Sequence, residues 1–263
     1  MTILEEILAH KRKEVAESEE LRPVKLLEKS IFFETDSVSM SEYLKRPDKV
    51  GIIAEIKRAS PSKGMIQEYI DVEQLSIGYM QAGASALSVL SDMKYFGGSL
   101  QDVEMARKFN YCPILRKDFM VSEYQIIEAK SSGADCILLI AAALEVDTCK
   151  RLAKTAKGLG LEVLLEVHNK EEIDSHTSEE IDLIGVNNRN LHDFTTELKT
   201  SIDLADHIPQ DFVKISESGI SDAESIKRLK KVGFEGFLIG GYFMEHGHPE
   251  EACARLIKEV LKG

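Results

Sequence analysis

Apolar, β-branched runs recur eight times along the chain: Val50–Lys57, Ala86–Asp92, Pro113–Phe119, Cys136–Leu144, Glu162–His168, Leu183–Arg189, Val213–Ser218 and Gly236–Phe243. Successive runs begin 21 to 36 residues apart, with a mean near 27. That spacing fits one strand and one crossover helix per repeat. Segments with helical periodicity fill the gaps at Val72–Ala82, Leu100–Phe109, Ser122–Ser131, Asp147–Leu159, Leu198–Asp206 and Asp222–Lys231, and Glu250–Lys262 closes the chain. Asn169–Glu180, after the fifth run, is short and polar and predicts the least regular helix.

Gly83, Gly133, Gly160 and Gly233 each follow a helical run, where a helix terminus would sit. Ser221 opens Ser-Asp-Ala-Glu, which reads as a capping box. Runs such as Cys136-Ile-Leu-Leu-Ile140 are continuously apolar rather than alternating. Burial on both faces, as in a parallel sheet covered by helices, explains that pattern. Eight regular units predict an α/β fold, a (β/α)8 TIM barrel, of the roughly 250-residue size usual for it. An open, doubly wound sheet is the competing arrangement, but the first run is not followed by a Gly-x-Gly-x-x-Gly turn. Residues 1–46 precede the repeat and read as helical at Ile3–Glu19, Val24–Lys29 and Met40–Lys45, an N-terminal helical extension packed on the barrel. No linker interrupts the pattern, so residues 1–263 are expected to form a single domain.

With 45 acidic and 33 basic side chains, the formal net charge is −12. That balance disfavours nucleic-acid and membrane-surface partners, which attract basic faces. It leaves room for a locally positive pocket holding a small anion. Cys112, Cys136, Cys149 and Cys253 contain no C-x-x-C pair and fit reduced intracellular thiols. Nine charged side chains within residues 1–20 are incompatible with a signal-peptide core, and no apolar run reaches the length of about 18 residues that a membrane span needs. A cytoplasmic protein is expected.

A charge in a strand buried on both faces costs several kcal/mol unless paired or solvated. Here the polar groups gather at one end of the runs: Glu55 and Lys57, Lys117, Glu166, Asn187 and Arg189, and Glu217. Glu162 and Lys214, at the opposite ends, are the exceptions. Alternation puts Glu55 with Lys57, Lys117 with Phe119, and Asn187 with Arg189 on shared faces. If those faces point inward, the charges converge on the carboxyl-end mouth, where barrel enzymes place their sites. A solvated rim explains any one of these residues, whereas five strands agreeing on one end argue for a site.

Ser218-Gly219 and Gly240-Gly241 end the last two runs, next to the recurrent phosphate site of this fold. The first loop, Arg58-Ala-Ser-Pro-Ser-Lys-Gly64 and on to Asp71, combines cations, hydroxyls and turn residues, as a phosphate-closing lid requires.

Read together, these segments resemble the indole-3-glycerol phosphate synthase family. The motifs are Ile-Ile-Ala-Glu55-Ile-Lys57-Arg-Ala-Ser60-Pro-Ser-Lys-Gly, Lys-Tyr-Phe96-Gly-Gly-Ser, Leu-Arg-Lys117-Asp-Phe119, Leu-Leu-Glu166-Val, Gly-Val-Asn187-Asn-Arg189-Asn-Leu, Ser-Glu217-Ser218-Gly219-Ile and Phe-Leu-Ile-Gly240. They occur in order over nearly the whole chain. One departure is visible: the family commonly has a small polar or acidic residue where this chain has Gly241.

The resemblance implies a carboxy-lyase of tryptophan biosynthesis that closes a carboxyphenylamino-deoxyribulose phosphate into an indole with loss of CO2 and water. It implies no metal and no organic cofactor. Lys117 is then the general acid of ring closure, and Glu166 a base or a stabiliser of cationic intermediates. Lys57 and Glu55 serve dehydration, and Asn187 and Ser218 complete the catalytic set. Carboxylates Glu55, Glu166 and Glu217 would keep Lys117 protonated, each contributing ~4 kcal/mol at about 4 Å and an effective dielectric of ~20. Asn187 and Arg189 would orient sugar hydroxyls or the substrate carboxylate. Ser60, Lys57, Gly219, Gly240 and Gly241 are the expected phosphate contacts, and Phe96, Phe119, Leu90 and Leu138 the walls for the aromatic ring. His246-x-His248 lacks a supporting carboxylate constellation and is not expected to bind metal. The expected partner is a small phosphorylated substrate, and the resemblance leaves room for association with other tryptophan-pathway enzymes. An isomerase, a Schiff-base aldolase using Lys117, and a non-catalytic phosphosugar-binding barrel remain open alternatives.

Overall fold

The computed structural model describes residues 2–190 and 194–262; Leu191, the last residue of the Asn-Arg-Asn-Leu motif, lies outside them. Eight strands form a closed parallel barrel: β1 (Ile52–Ile56), β2 (Ala86–Leu90), β3 (Ile114–Lys117), β4 (Cys136–Ile140), β5 (Glu162–Val167), β6 (Leu183–Asn187), β7 (Val213–Glu217) and β8 (Gly236–Ile239). Each strand pairs with its neighbour in the chain, and β8 closes on β1 with Ile53 opposite Leu238. Closure excludes the open, doubly wound arrangement.

The pleat sorts each strand into two sides. Ile53, Leu115, Leu138, Leu164, Ile215 and Leu238 form one buried cluster inside the barrel. Their neighbours Ile52, Ile114, Leu139, Val163 and Ile184 belong to the larger core beneath the surrounding helices. Two residues further along the same faces stand Glu55, Lys117, Glu166 and Glu217, so alternation alone carries them into the mouth.

The N-terminal extension comprises helices Ile3–Leu21, Val24–Leu27 and Met40–Leu44. Met40 and Leu44 join the interior cluster and plug the amino end of the barrel. Glu162, one of the two exceptions, accepts hydrogen bonds from the Met40 and Ser41 amides at 2.6 and 3.1 Å and from the Ser39 hydroxyl at 2.7 Å. A carboxylate is favoured at that helix N-terminus. Lys214, the other exception, donates to the Ala205 carbonyl at 2.6 Å.

Helices Val72–Ala82 and Leu100–Phe109 have the expected ends. Several limits move. The helix after β7 is capped by Asp222, not Ser221: its two carboxylate oxygens accept from the Ser225 amide and hydroxyl, both at 2.8 Å. The fourth run stops as a strand at Ile140 and turns through a 3-10 segment, Ala141–Ala143. The eighth stops at Ile239 and re-forms as a short helix, Gly241–Met244. The polar segment after β5 forms a short helix, Lys170–His176, and the one after β6 forms Lys199–Leu204 with a 3-10 end. Among the described residues, no helix is long and apolar enough to cross a membrane.

Candidate active site

Lys117 ends β3 with its Nζ 2.8 Å from Glu217 Oε2 on β7 and 3.2 Å from Glu55 Oε2 on β1. Glu55 Oε1 in turn accepts from Lys57 Nζ at 2.6 Å. Lys57, Glu55, Lys117 and Glu217 thus form one alternating chain of charges across the mouth. Burial opposes a charge on Lys117, but Glu217, Glu55 and Glu166 outweigh it and hold the ammonium well above the ordinary lysine range. Burial likewise pushes Glu55 up, yet Lys117 and Lys57 bring it down to about 2. Glu217 goes the other way: burial, with the neighbouring Glu166 and Glu55 charges, raises it despite Lys117.

Two glycines make room for these carboxylates. A Cβ on Gly240 would meet Glu55 Oε1 at 2.1 Å, and one on Gly185 would meet Glu217 Oε1 at 2.5 Å. Any side chain at either position would displace the carboxylate or the strand.

Glu166 stands at the far side of the mouth, where its Oε1 accepts from Asn187 Nδ2 at 3.1 Å. Asn187 Oδ1 accepts from the Arg189 amide at 3.0 Å, which fixes the amide plane. The Arg189 guanidinium crosses the mouth to the first loop and donates to the Ser62 hydroxyl at 2.6 Å. Its expected role on substrate oxygens therefore competes with a tie between two loops.

That first loop is a structured hairpin, with Ala59–Ser60 paired to Gly64–Met65. Its root is pinned by Arg58, which donates to Asp102 at 2.7 and 3.0 Å and to the Gly97 carbonyl at 3.0 Å. Ser60 is buried at its base and accepts from the Lys63 amide at 3.2 Å. Lys63 ion-pairs with Glu245, and its Nζ comes within 4.0 Å of where a Cβ on Gly241 would stand. Lys63 is thus a further cation beside the expected phosphate cradle. Ser218 holds left-handed backbone (φ 67°), at a cost of roughly 1 kcal/mol for a residue with a Cβ. Asn188 Nδ2 donates to its carbonyl at 3.0 Å and so locks the turn into Gly219.

Phe96, on the short helix Met93–Phe96, and Phe119 meet with ring centroids 6.2 Å apart. Phe119 packs on the interior cluster that contains Leu138, and Leu90 is buried. An open cavity of about 470 Å³ lies beside the β5 and β6 ends, lined by His168, Asn187, Arg189 and Glu197 among others; Lys117 and Glu55 are not part of its wall.

Sequence reasoning passed over His168. It follows β5 and shares the inward parity of Glu166, the signal that could have found it. Its Nε2 lies 3.5 Å from Glu166 Oε1. His246 and His248 are engaged with the Tyr242 carbonyl and Glu250, and no cluster of three or more metal-ligating side chains occurs among the described residues. The four cysteines are buried and unpaired.

The fold resembles solved tryptophan synthase α-subunits from Pyrococcus furiosus. One aligns with a TM-score of 0.59 at 17 % identity, covering 82 % of this chain and 99 % of that one. An α2β2 complex from the same organism gives a TM-score of 0.60 at 18 % identity, with the same coverage. At that identity the likeness concerns the barrel alone. Sequence relatives are far nearer. A protein of Bacteroides thetaiotaomicron named indole-3-glycerol phosphate synthase is 49 % identical over 98 % of both chains. One of the same name from Chromobacterium violaceum is 41 % identical over 97 % of both, and one from Salinibacter ruber is 38 % identical over 100 % of this chain and 97 % of that one. The sequence model described as indole-3-glycerol phosphate synthase matches residues 4–256. A match of that extent, at that identity, leaves one conclusion: the chain belongs to the indole-3-glycerol phosphate synthase family.

Proposed function

We propose that the mouth of this barrel converts 1-(2-carboxyphenylamino)-1-deoxyribulose 5-phosphate into indole-3-glycerol phosphate, CO2 and water through Lys117, Glu166, Glu55 and Lys57. The observation that carries these roles is the contact of Lys117 Nζ with two buried carboxylates at 2.8 and 3.2 Å. A lysine so held remains an ammonium, able to donate a proton to the substrate ketone.

That donation makes the carbonyl carbon electrophilic, and the ring carbon bearing the carboxylate attacks it. Loss of CO2 returns the bonding pair to the ring and restores its aromaticity. The new tertiary hydroxyl then leaves as water once protonated, and removal of a proton from the adjacent carbon forms the second ring's double bond. Lys57, hydrogen-bonded to Glu55, is the acid for the departing hydroxyl in this reading. Glu166, fixed by Asn187, faces the cation that precedes proton loss and serves as stabiliser or base.

Phe96, Phe119, Leu90 and Leu138 supply apolar walls for the anthranilate ring, and Glu217 holds Lys117. The phosphate lies against Ser60, Lys57, Gly219, Gly240 and Gly241, with the Ser218 turn presenting the backbone and Lys63 close by. Arg189 and Asn187 address the sugar or the carboxylate once Arg189 leaves Ser62. The same ion pairs speak against an aldolase, because a protonated lysine is a poor Schiff-base nucleophile.

We also read residues 1–263 as one domain of a cytoplasmic enzyme that can associate with other enzymes of the tryptophan pathway. The deciding assay supplies the carboxyphenylamino-deoxyribulose phosphate and follows indole absorbance and fluorescence. Product is expected without added metal or cofactor; no product at saturating substrate would overturn the reading.

A further inference from the structure

The imidazole of His168 is gripped on one side only. Glu172 Oε2, on the helix Lys170–His176, accepts the His168 amide at 2.7 Å and lies 3.4 Å from its Nδ1. Nε2 is buried without a hydrogen-bond partner, 3.5 Å from Glu166 Oε1. A buried, unpartnered ring nitrogen is destabilising and calls for an explanation. The hydrogen bond Glu166 receives from Asn187 falls on that same Oε1.

We propose that His168 is a positioning residue for Glu166: Glu172 orients the ring, and Nε2–H closes on Oε1 when substrate fills the mouth. Oε2 is then left to face the reacting carbon. The inference rests on the role given to Glu166 above and supplies the device that aims it.

The device depends on protonation. With Nδ1–H committed to Glu172, Nε2 can donate only from the imidazolium; a neutral ring turns a lone pair toward the carboxylate. The charged groups around the ring are Glu166 on β5, Glu172 on the following helix and Glu217 on β7. Arg189 and Glu197 line the adjoining cavity, and Lys170, Lys199 and Asp203 its outer reach. Burial disfavours the imidazolium, but Glu172, Glu166 and Glu217 together outweigh it and raise the ring above its ordinary 6.5. Donation is therefore kept to a higher pH than an ordinary imidazole would allow, and is lost on the alkaline side of its titration.

The test is the pH profile of kcat and KM for the full-length wild type, His168→Ala, His168→Gln and Glu172→Gln. Wild-type kcat should fall along a limb above pH about 6.5. His168→Ala should lower kcat about tenfold or more, with KM changing less than about threefold. His168→Gln, whose amide donates at any pH, should recover part of that loss and lack the limb. Glu172→Gln should move the limb to lower pH. Unchanged turnover in His168→Ala, or a limb in His168→Gln identical to wild type, would overturn the inference. Should His168→Ala fail to fold, the Gln and Glu172→Gln profiles still decide. Absence of product from the wild type defeats the functional reading itself, whereas normal turnover with silent His168 variants defeats only this one.

Discussion

Lys11 Nζ, carried by the first helix, lies 3.0 Å from Oδ1 of Asp118, the residue immediately after Lys117. The same ammonium is 2.8 Å from Asp92 Oδ2, and all three side chains are buried. Asp92 caps the short helix that carries Phe96, while Asp118 precedes Phe119. One cation from the N-terminal extension therefore braces the supports of both Phe96 and Phe119. Arg116 completes the network from the outer side, reaching Asp118 at 3.1 Å and Glu128 at 2.9 Å.

Replacing Lys11 by Met leaves two buried carboxylates short of a counter-charge. The expected loss is about 3–5 kcal/mol of folding stability, read from the shift in denaturant midpoint. A loss under about 1 kcal/mol would mean that water or rearrangement compensates.

Lys117→Ala should lower kcat about a hundredfold or more, with a near-native circular dichroism spectrum. The motive is the ammonium held between Glu55 and Glu217. Activity within about threefold of wild type would refute the acid role.

Glu166→Gln keeps the shape of the side chain but removes its charge. Because that charge faces the mouth beside Asn187, turnover at saturation should fall more than substrate binding weakens. Weakened binding with unchanged kcat would reassign Glu166 to substrate holding.

Stability should also report on Glu55. Its carboxyl titrates at about 2 in the folded protein against an ordinary 4.5, so its contribution is complete above 4.5 and is lost as pH falls toward 2. The difference amounts to about 3 kcal/mol. Denaturant unfolding of wild type and Glu55→Gln between pH 5 and pH 3 checks it, at conditions spanning roughly the upper part of that window. The wild type should lose stability more steeply; parallel losses would contradict the assignment.

The two glycines at the end of β8 should answer oppositely. Gly240→Ala drives a Cβ into Glu55 and should cost most of the activity. Gly241→Ser meets nothing nearer than Glu245 Oε1 at 3.9 Å and offers the phosphate a hydroxyl, so KM should hold or fall. A folded, fully active Gly240→Ala would show that Glu55 has freedom to move.

Much of this protein is legible in its sequence, because strand alternation and helix periodicity are local. Ile53 predicts the side of Glu55, Leu115 that of Lys117 and Leu164 that of Glu166, and the same parity held the clue to His168. Capping was readable only approximately: Ser221 and Asp222 both offer oxygen acceptors, and the path of the chain selected Asp222. What the sequence could not supply is which charges meet. Lys11 reaching Asp118 and Arg189 crossing to Ser62 both join segments distant in the chain. Coulomb energy and hydrogen bonding act over a few ångströms, so those pairings came into being only when the barrel closed.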